Sequence, residues 1–272
     1  MEIQSNNNLR SVWRQAGELP RGVPGEEPDS MLFRNGLLIQ DERRIRIFLA
    51  HCGEQKHRCV TKIYRTPLLL TWRDLFRVPV AERESRNLKY AEGRKLPVVA
   101  SLGHGVQRTP GTEWFSLIST AFLDGDTMRA ALARPGITGE ERSALVEKSA
   151  EMLALMHQEG LIWGTAHTGN FMVSPQPGGV LTAFDLPYAV CTQKDMRSSG
   201  SALYDLHTMV RDFRRLCGLE EVFIDEFFSA YARAAGREAG DVRAQFETRL
   251  KNRGFTWSRI WLRTLSSFRL RP

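Results

Sequence analysis

Asn170 and Asp185 are the residues whose types and spacing point first to chemistry. Between Gly164 and Asp185 the chain runs GTAHTGNFMVSPQPGGVLTAFD. That is a loop ending in Asn170, a short apolar strand (Phe171, Met172, Val173), a Pro/Gly turn, and a second strand from Val180 to Phe184 leading into Asp185. An antiparallel hairpin returns the chain to its starting point, so the amide of Asn170 and the carboxylate of Asp185 are predicted to converge at one end. Asn and Asp are also common turn residues, but two hard oxygen ligands side by side suit a magnesium ion that carries phosphates. The chemistry indicated is phosphoryl transfer.

The whole chain is consistent with an enzyme of that kind. Its 272 residues can bury a full core, as one large domain or two lobes. With 42% hydrophobic and 25% charged residues, its composition is that of an ordinary soluble globular protein. No apolar run approaches a membrane span, and the N-terminus MEIQSNNNLRSVWRQ lacks the apolar core of a secretory signal, so the expected location is cytoplasmic. Cys52, Cys59, Cys191 and Cys217 have no framework spacing and are expected as reduced thiols. The balance of 38 Lys and Arg against 31 Asp and Glu, a net +7, suits an anionic partner. Nucleic acid is the weakest of these, because no compact basic block is interleaved with stacking aromatics.

Several elements must position the pair. Residues 1–30, rich in Gly, Pro and Glu, form a polar, flexible lead-in. Residues 31–122 form a strand-rich N-terminal lobe, in which GLLIQ, RIRIFLAHC and HRCVTKIYR alternate apolar and polar side chains across a GEQK turn. TPLLLTWRDLFRVP at 66–79 is a Pro-bounded amphipathic insertion. A charged helix from Ala81 to Arg94 and strands in VVASLGHGV and WFSLISTAFL follow. Residues 123–272 form a helical C-terminal lobe carrying the hairpin, with a hinge near 119–125. There Leu145, Ala150, Leu153 and Met156 make a core-facing stripe, and Gly160 ends their helix. ALYDLHTMVRDFRRLCG and EVFIDEFFSAYARAAG are two more amphipathic helices. The fold class is therefore α+β in two lobes.

This order, with the hairpin in place, resembles the protein-kinase-like fold. More narrowly it is similar to the bacterial lipopolysaccharide core kinases that phosphorylate Kdo or heptose, over about residues 31 to 215. In that fold a strand lysine holds the nucleotide phosphates and pairs with a glutamate on the next helix. The resemblance puts Lys62 of CVTKIYR and Glu84 of ERESRNLKYAEGRKLPV in these roles, with Glu82 as a competing choice. The catalytic-loop pattern of this branch, His-Gly-Asp-x-His-x-x-Asn, aligns with Trp163-Gly164-Thr165-Ala166-His167-Thr168-Gly169-Asn170. Phe184-Asp185-Leu186 stands where the second metal ligand is expected, and YDLHTMV resembles the later helix whose aspartate, here Asp205, braces the loop. The resemblance implies ATP and Mg2+ as cofactors, an active cleft between lobes, and a core glycolipid or other anionic glycan as acceptor.

Two positions depart from the pattern. Thr165 occupies the place of the catalytic aspartate, and Gly36 is the only glycine where a phosphate-binding loop would lie. Because phosphoryl transfer depends mainly on positioning and charge neutralisation, loss of the carboxylate need not abolish it. His167, two positions on, is a candidate to contact the γ-phosphate or the acceptor hydroxyl, or to act as a substitute base. The alternative is a pseudokinase that binds nucleotide or acts as a scaffold. Aminoglycoside and choline phosphotransferases share the Gly-x-x-His-x-x-Asn spacing, but they usually carry acidic residues for a cationic acceptor, and this chain's positive balance points the other way. His51, Cys52, His57 and Cys59 straddle a turn and are expected to be ordinary hairpin residues rather than a zinc site. Trp257, Ile260, Trp261, Leu265 and Phe268 lie near one side of a last helix, with Arg259, Arg263 and Arg269 elsewhere. That helix is expected to close the C-terminal lobe; a peripheral inner-membrane contact is the other reading of it.

Overall fold

The structure, a computed structural model, describes residues 2–4, 12–14, 16–17, 37–42, 44–52, 57–66, 77–107, 114–176, 179–252, 255 and 262. Most of the insertion expected at 66–79 and nearly all of the last helix lie outside the described residues. The chain divides into two compact units. The first is residues 1–89, 99–122 and 267–269; the second is residues 90–98, 123–266 and 270–272.

In the first unit, β1 (Glu2–Gln4) pairs with β2 (Val12–Arg14) within the expected lead-in. The remaining strands are β3 (Ala16–Gly17), β4 (Leu37–Asp41), β5 (Ile45–Cys52), β6 (His57–Thr66), β7 (Ser101–Gln107) and β8 (Trp114–Ala121). They form a six-stranded sheet in the order β3-β7-β8-β6-β5-β4, with every pairing antiparallel. Because side chains alternate across a strand, β6 sends Cys59, Thr61 and Ile63 to one face and Lys62 and Tyr64 to the other. Cys59 and Ile63 join Phe48, Ala50, Phe115 and Leu117 in a core cluster. On the other face lies helix α1 (Val80–Gly93), whose Glu84 bonds to both Lys62 and Tyr64. Cys59, expected as a reduced thiol, is disulfide-bonded, which corrects that reading. The linear spacing of the cysteines carried no sign of the bond.

The second unit is built on helices α2 (Met128–Leu132), α3 (Gly139–Gln158), α4 (Gly200–Arg215), α5 (Glu221–Ala235) and α6 (Ala239–Lys251). Thr138 and Glu141 form a reciprocal capping box at the start of α3, which satisfies donors left open by the first helical turn. The predicted stripe Leu145, Ala150, Leu153 and Met156 is buried. Gly160 follows α3 at φ +77°, as the expected helix stop. A Cβ there would come within 2.1 Å of the Thr192 carbonyl oxygen, so glycine is required for space as well as for conformation.

Short strands β9 (Asp126–Thr127), β10 (Leu161–Ile162), β11 (Phe171–Val173), β12 (Leu181–Ala183) and β13 (Val190–Cys191) frame the catalytic-looking loop. The predicted hairpin is β11–β12, and β9 adds to its other edge. Cys191 and Cys217 are free thiols. No helix among the described residues is long and apolar enough to cross a membrane.

Candidate functional site

The predicted site residues fall into two groups, one in each unit. In the first unit Lys62 Nζ donates to Glu84 Oε1 at 2.8 Å, and Tyr64 Oη donates to Glu84 Oε2 at 2.6 Å. Glu84 is fully buried and Lys62 nearly so. A carboxylate taken out of water needs donors for its oxygens, and Lys62 and Tyr64 come from one strand face, two positions apart. Glu82, the competing glutamate, is instead half-exposed and lies close enough to His104 to act on its charge. Tyr64→Phe is expected to cost about 1–3 kcal/mol, the penalty for withdrawing a donor from a buried acceptor. Urea denaturation of the variant checks this; a change under about 0.5 kcal/mol would contradict the role given to the hydroxyl.

In the second unit Asn170 and Asp185 come together at the end of the β11–β12 hairpin. Asn170 Nδ2 donates to the Thr165 carbonyl at 3.2 Å and approaches Asp185 Oδ2 at 3.5 Å. With its nitrogen turned to the loop, the amide keeps Oδ1, the atom a hard cation would use, without a partner among the described residues. Asp185 adopts φ 65°, a left-handed conformation shared among described non-glycine residues only with Lys95. Aspartate tolerates that region better than most side chains, yet the backbone is still strained there. Trp163 holds it: the indole Nε1 donates to the Asp185 carbonyl at 3.0 Å, and the buried ring packs edge-on against Phe171, 4.9 Å between centroids. Phe184 N also donates to the Asn170 carbonyl at 3.0 Å.

The loop between these residues is fastened from α4. Asp205 is fully buried and accepts from the backbone N–H groups of Trp163 and Gly164, each at 2.7 Å. His157 Nε2 lies 3.1 Å from the same carboxylate, and His157 Nδ1 lies 2.8 Å from Tyr231 Oη. Nε2 faces an acceptor-only carboxylate and therefore donates to it, and the Tyr231 hydroxyl also lies 3.4 Å from the Arg197 carbonyl, to which it donates. Seven residues on, Asp212 accepts from the backbone N–H of Thr168 at 2.8 Å, from the Thr168 hydroxyl, and from Arg129 Nη2 at 3.0 and 3.3 Å. Two turns of one helix thus supply two acids to one loop.

Thr165 and His167 differ in how they are held. Thr165 Oγ1 is buried with no hydrogen-bond partner among the described residues. His167 Nδ1 accepts from the Gly169 N–H at 3.1 Å. Burial, first of all, holds this imidazole below its ordinary pKa; Asp212 opposes that and Arg129 adds to it. A neutral ring whose Nδ1 accepts carries its proton on Nε2. His167 is therefore set up to donate, which suits contact with an anion better than removal of a proton.

Sequence reasoning did not single out Tyr64, Asp212, Arg129 or the indole bond of Trp163. Period two from Lys62 was a usable signal for Tyr64, and period seven from Asp205 was one for Asp212. Arg129 carried none, because it reaches Asp212 across a long stretch of chain. Among the described residues no group of three or more His, Cys, Asp or Glu could hold a metal ion.

No protein-family model and no curated protein matches the chain. Among solved structures it is similar to WaaP in complex with acyl carrier protein, with a TM-score of 0.60 and 16% identity over 93% of this chain and 99% of that one. The chain has a fold like that of WaaP, a mixed helix-and-sheet architecture with an antiparallel sheet.

Proposed function

We propose that this chain is an ATP-dependent kinase that phosphorylates a sugar hydroxyl of the lipopolysaccharide core, in cell-envelope glycolipid biosynthesis. The observation that carries the proposal is the Asn170–Asp185 pair, with the amide nitrogen tied to the loop and the acid held in a strained backbone. Asn170 and Asp185 would hold magnesium, and Lys62, pinned by Glu84, whose other oxygen Tyr64 holds, would bind nucleotide phosphates. Magnesium supplies charge neutralisation at the phosphate oxygens when bound. The chain's own contribution is to orient: Asp205 and Asp212 hold the loop, and Trp163 holds the Asp185 backbone. The catalytic-loop spacing supports a sugar acceptor, and the net positive charge supports an anionic glycolipid, reached by peripheral contact with the inner face of the membrane.

Thr165 supports a second reading, a pseudokinase that binds nucleotide or scaffolds envelope-biosynthesis partners. A threonine hydroxyl is a poor proton acceptor at neutral pH, and the loss of a carboxylate there costs about 10²–10⁴-fold in rate. Incubation with radiolabelled ATP and purified core glycolipid, with Lys62→Ala as the blank, separates the two. Label transferred by the wild-type chain alone supports the kinase; no transfer despite bound nucleotide supports the scaffold. Thr165→Asp is expected to keep the fold and to raise any kinase rate. The absence of a gain would count against a catalytic place for this position.

A further inference from the structure

We infer that Arg211 and Arg215, on the exposed side of α4, form a stripe that takes the phosphate or carboxylate groups of the acceptor glycan. The acceptor role rests on the kinase reading; the stripe itself is argued from how charge is distributed over the second unit. Most exposed arginines described there are paired with a carboxylate. Arg94 meets Glu159 at 3.0 Å, Arg134 meets Glu141 at 3.3 Å, Arg214 meets Glu221 at 2.8 Å and Arg233 meets Glu151 at 3.3 Å. Arg211 and Arg215 are exposed too, and neither has a partner among the described residues. Four positions apart on one helix, they stand side by side as like charges. The acids of α4 do not relieve this. Asp205 and Asp212 are its only two, both are buried, and both are spent on the catalytic loop, Asp212 with Arg129 and Thr168. Cations in a last turn complement the helix dipole, which accounts for Arg214 and Arg215. Arg211 stands a turn earlier, where that effect has faded.

The stripe is held beside the reaction centre. Asp205 and Asp212 set one side of α4 against Trp163, Gly164 and Thr168. By helical periodicity Arg211 and Arg215 flank that side, whereas Arg214 lies away from it. Arg211 is near enough to His167 in the catalytic loop to act on its charge. In the other direction the stripe runs back to His207, four positions before Arg211, whose half-buried ring stacks on Phe255 at 4.5 Å between centroids. Burial, then Arg211 and Arg215, hold this imidazole below its ordinary pKa, so His207 adds no charge at neutral pH and senses both arginines. Two uncommitted guanidinium groups on a fixed helix suit oxyanions, which they bind through charge-assisted bonds. In the kinase reading the nucleotide phosphates already have Lys62 and the metal pair, which leaves the stripe to the other reactant. A lipid surface would also attract exposed arginines, but the nearness of Arg211 to His167 favours a group on the molecule that reacts.

The test titrates the full chain at low salt with glucose 1-phosphate and with glucuronic acid, following the histidine ring resonance that disappears in His207→Gln. Both anions are expected to move it, and glucose is not. Arg211→Gln and Arg215→Gln are each expected to weaken the response about fivefold, the upper end for one exposed charge pair. The double variant is expected to abolish it. Neither substitution strands a described partner, so melting curves like that of wild type are expected for both. Arg214→Gln removes an equal charge from a neighbouring position and is the control for a diffuse field; it is expected to change the affinity by less than about twofold. No response to either sugar anion, or equal weakening in Arg214→Gln and Arg211→Gln, overturns the stripe. A response confined to ATP, or to vesicles containing phosphatidylglycerol, overturns it as well and reassigns the arginines to the nucleotide or to a lipid surface. If label reaches the core glycolipid and the double variant is no slower at limiting acceptor, the stripe fails and the kinase reading stands. If no label is transferred while sugar anions still act through both arginines, the kinase reading fails and the stripe stands.

Discussion

Asp205→Ala is expected to destabilise the protein by about 4 kcal/mol or more, since it leaves up to three buried donors without an acceptor at about 1–3 kcal/mol each. Those donors are the backbone N–H groups of Trp163 and Gly164 and the Nε2–H of His157. No water replaces the carboxylate easily, because Trp163, His157 and Asp205 are all fully buried. A loss of that size is a large share of the roughly 5–15 kcal/mol that holds a typical domain together. Asp205→Asn is the milder test: it keeps one acceptor oxygen but sets an NH2 against a donor. Its cost is expected to fall between wild type and alanine. Urea unfolding followed by tryptophan fluorescence measures all three. An alanine variant within about 1 kcal/mol of wild type would mean that the loop is held by other contacts.

Asp185 carries the second large effect, and here the expected loss is in ligand binding. Asp185→Ala is expected to weaken magnesium-nucleotide binding on the order of a hundredfold or more, whereas Thr165→Ala changes it little. The difference follows from what each side chain offers. Asp185 presents a carboxylate beside the Asn170 amide, and Thr165 presents only a buried hydroxyl. Alanine at Asp185 also has to adopt φ 65°, which costs about 1–2 kcal/mol through Cβ contact with the following carbonyl. Asp185→Asn removes the charge without that added strain, because asparagine tolerates the left-handed region. The expected pattern is an unchanged apo melting temperature for Asp185→Asn, together with loss of the upward shift that magnesium and ATP give the wild type. Equal losses in the Asp185 and Thr165 variants would undo the assignment of the metal pair.

Much of the frame was readable along the chain. Alternation in RIRIFLAHC and HRCVTKIYR marked β5 and β6, and the apolar stripe of α3 with Gly160 behind it marked a helix and its end. These features are local: period two or 3.6 follows from backbone geometry, and a glycine stop follows from φ. The two-residue strands β9, β10 and β13 were not readable, because two residues make no period. Helix α6 was also missed; only Val242 and Phe246 of its residues are buried, so its apolar face is too thin to stand out.

The residue types at the site, and the hairpin that joins Asn170 to Asp185, were written in the order of the letters, because both depend on neighbours within one turn or one hairpin. Which acid braces which amide was not. Asp205 meets Trp163 and Gly164 across 42 and 41 positions, and Arg129 meets Asp212 across 83. Such pairings arise when separate helices pack, and a carboxylate then bonds whichever donors packing has shut away from water. The same holds for the His167 proton: a single backbone N–H, delivered by the turn at Gly169, determines which ring nitrogen keeps it.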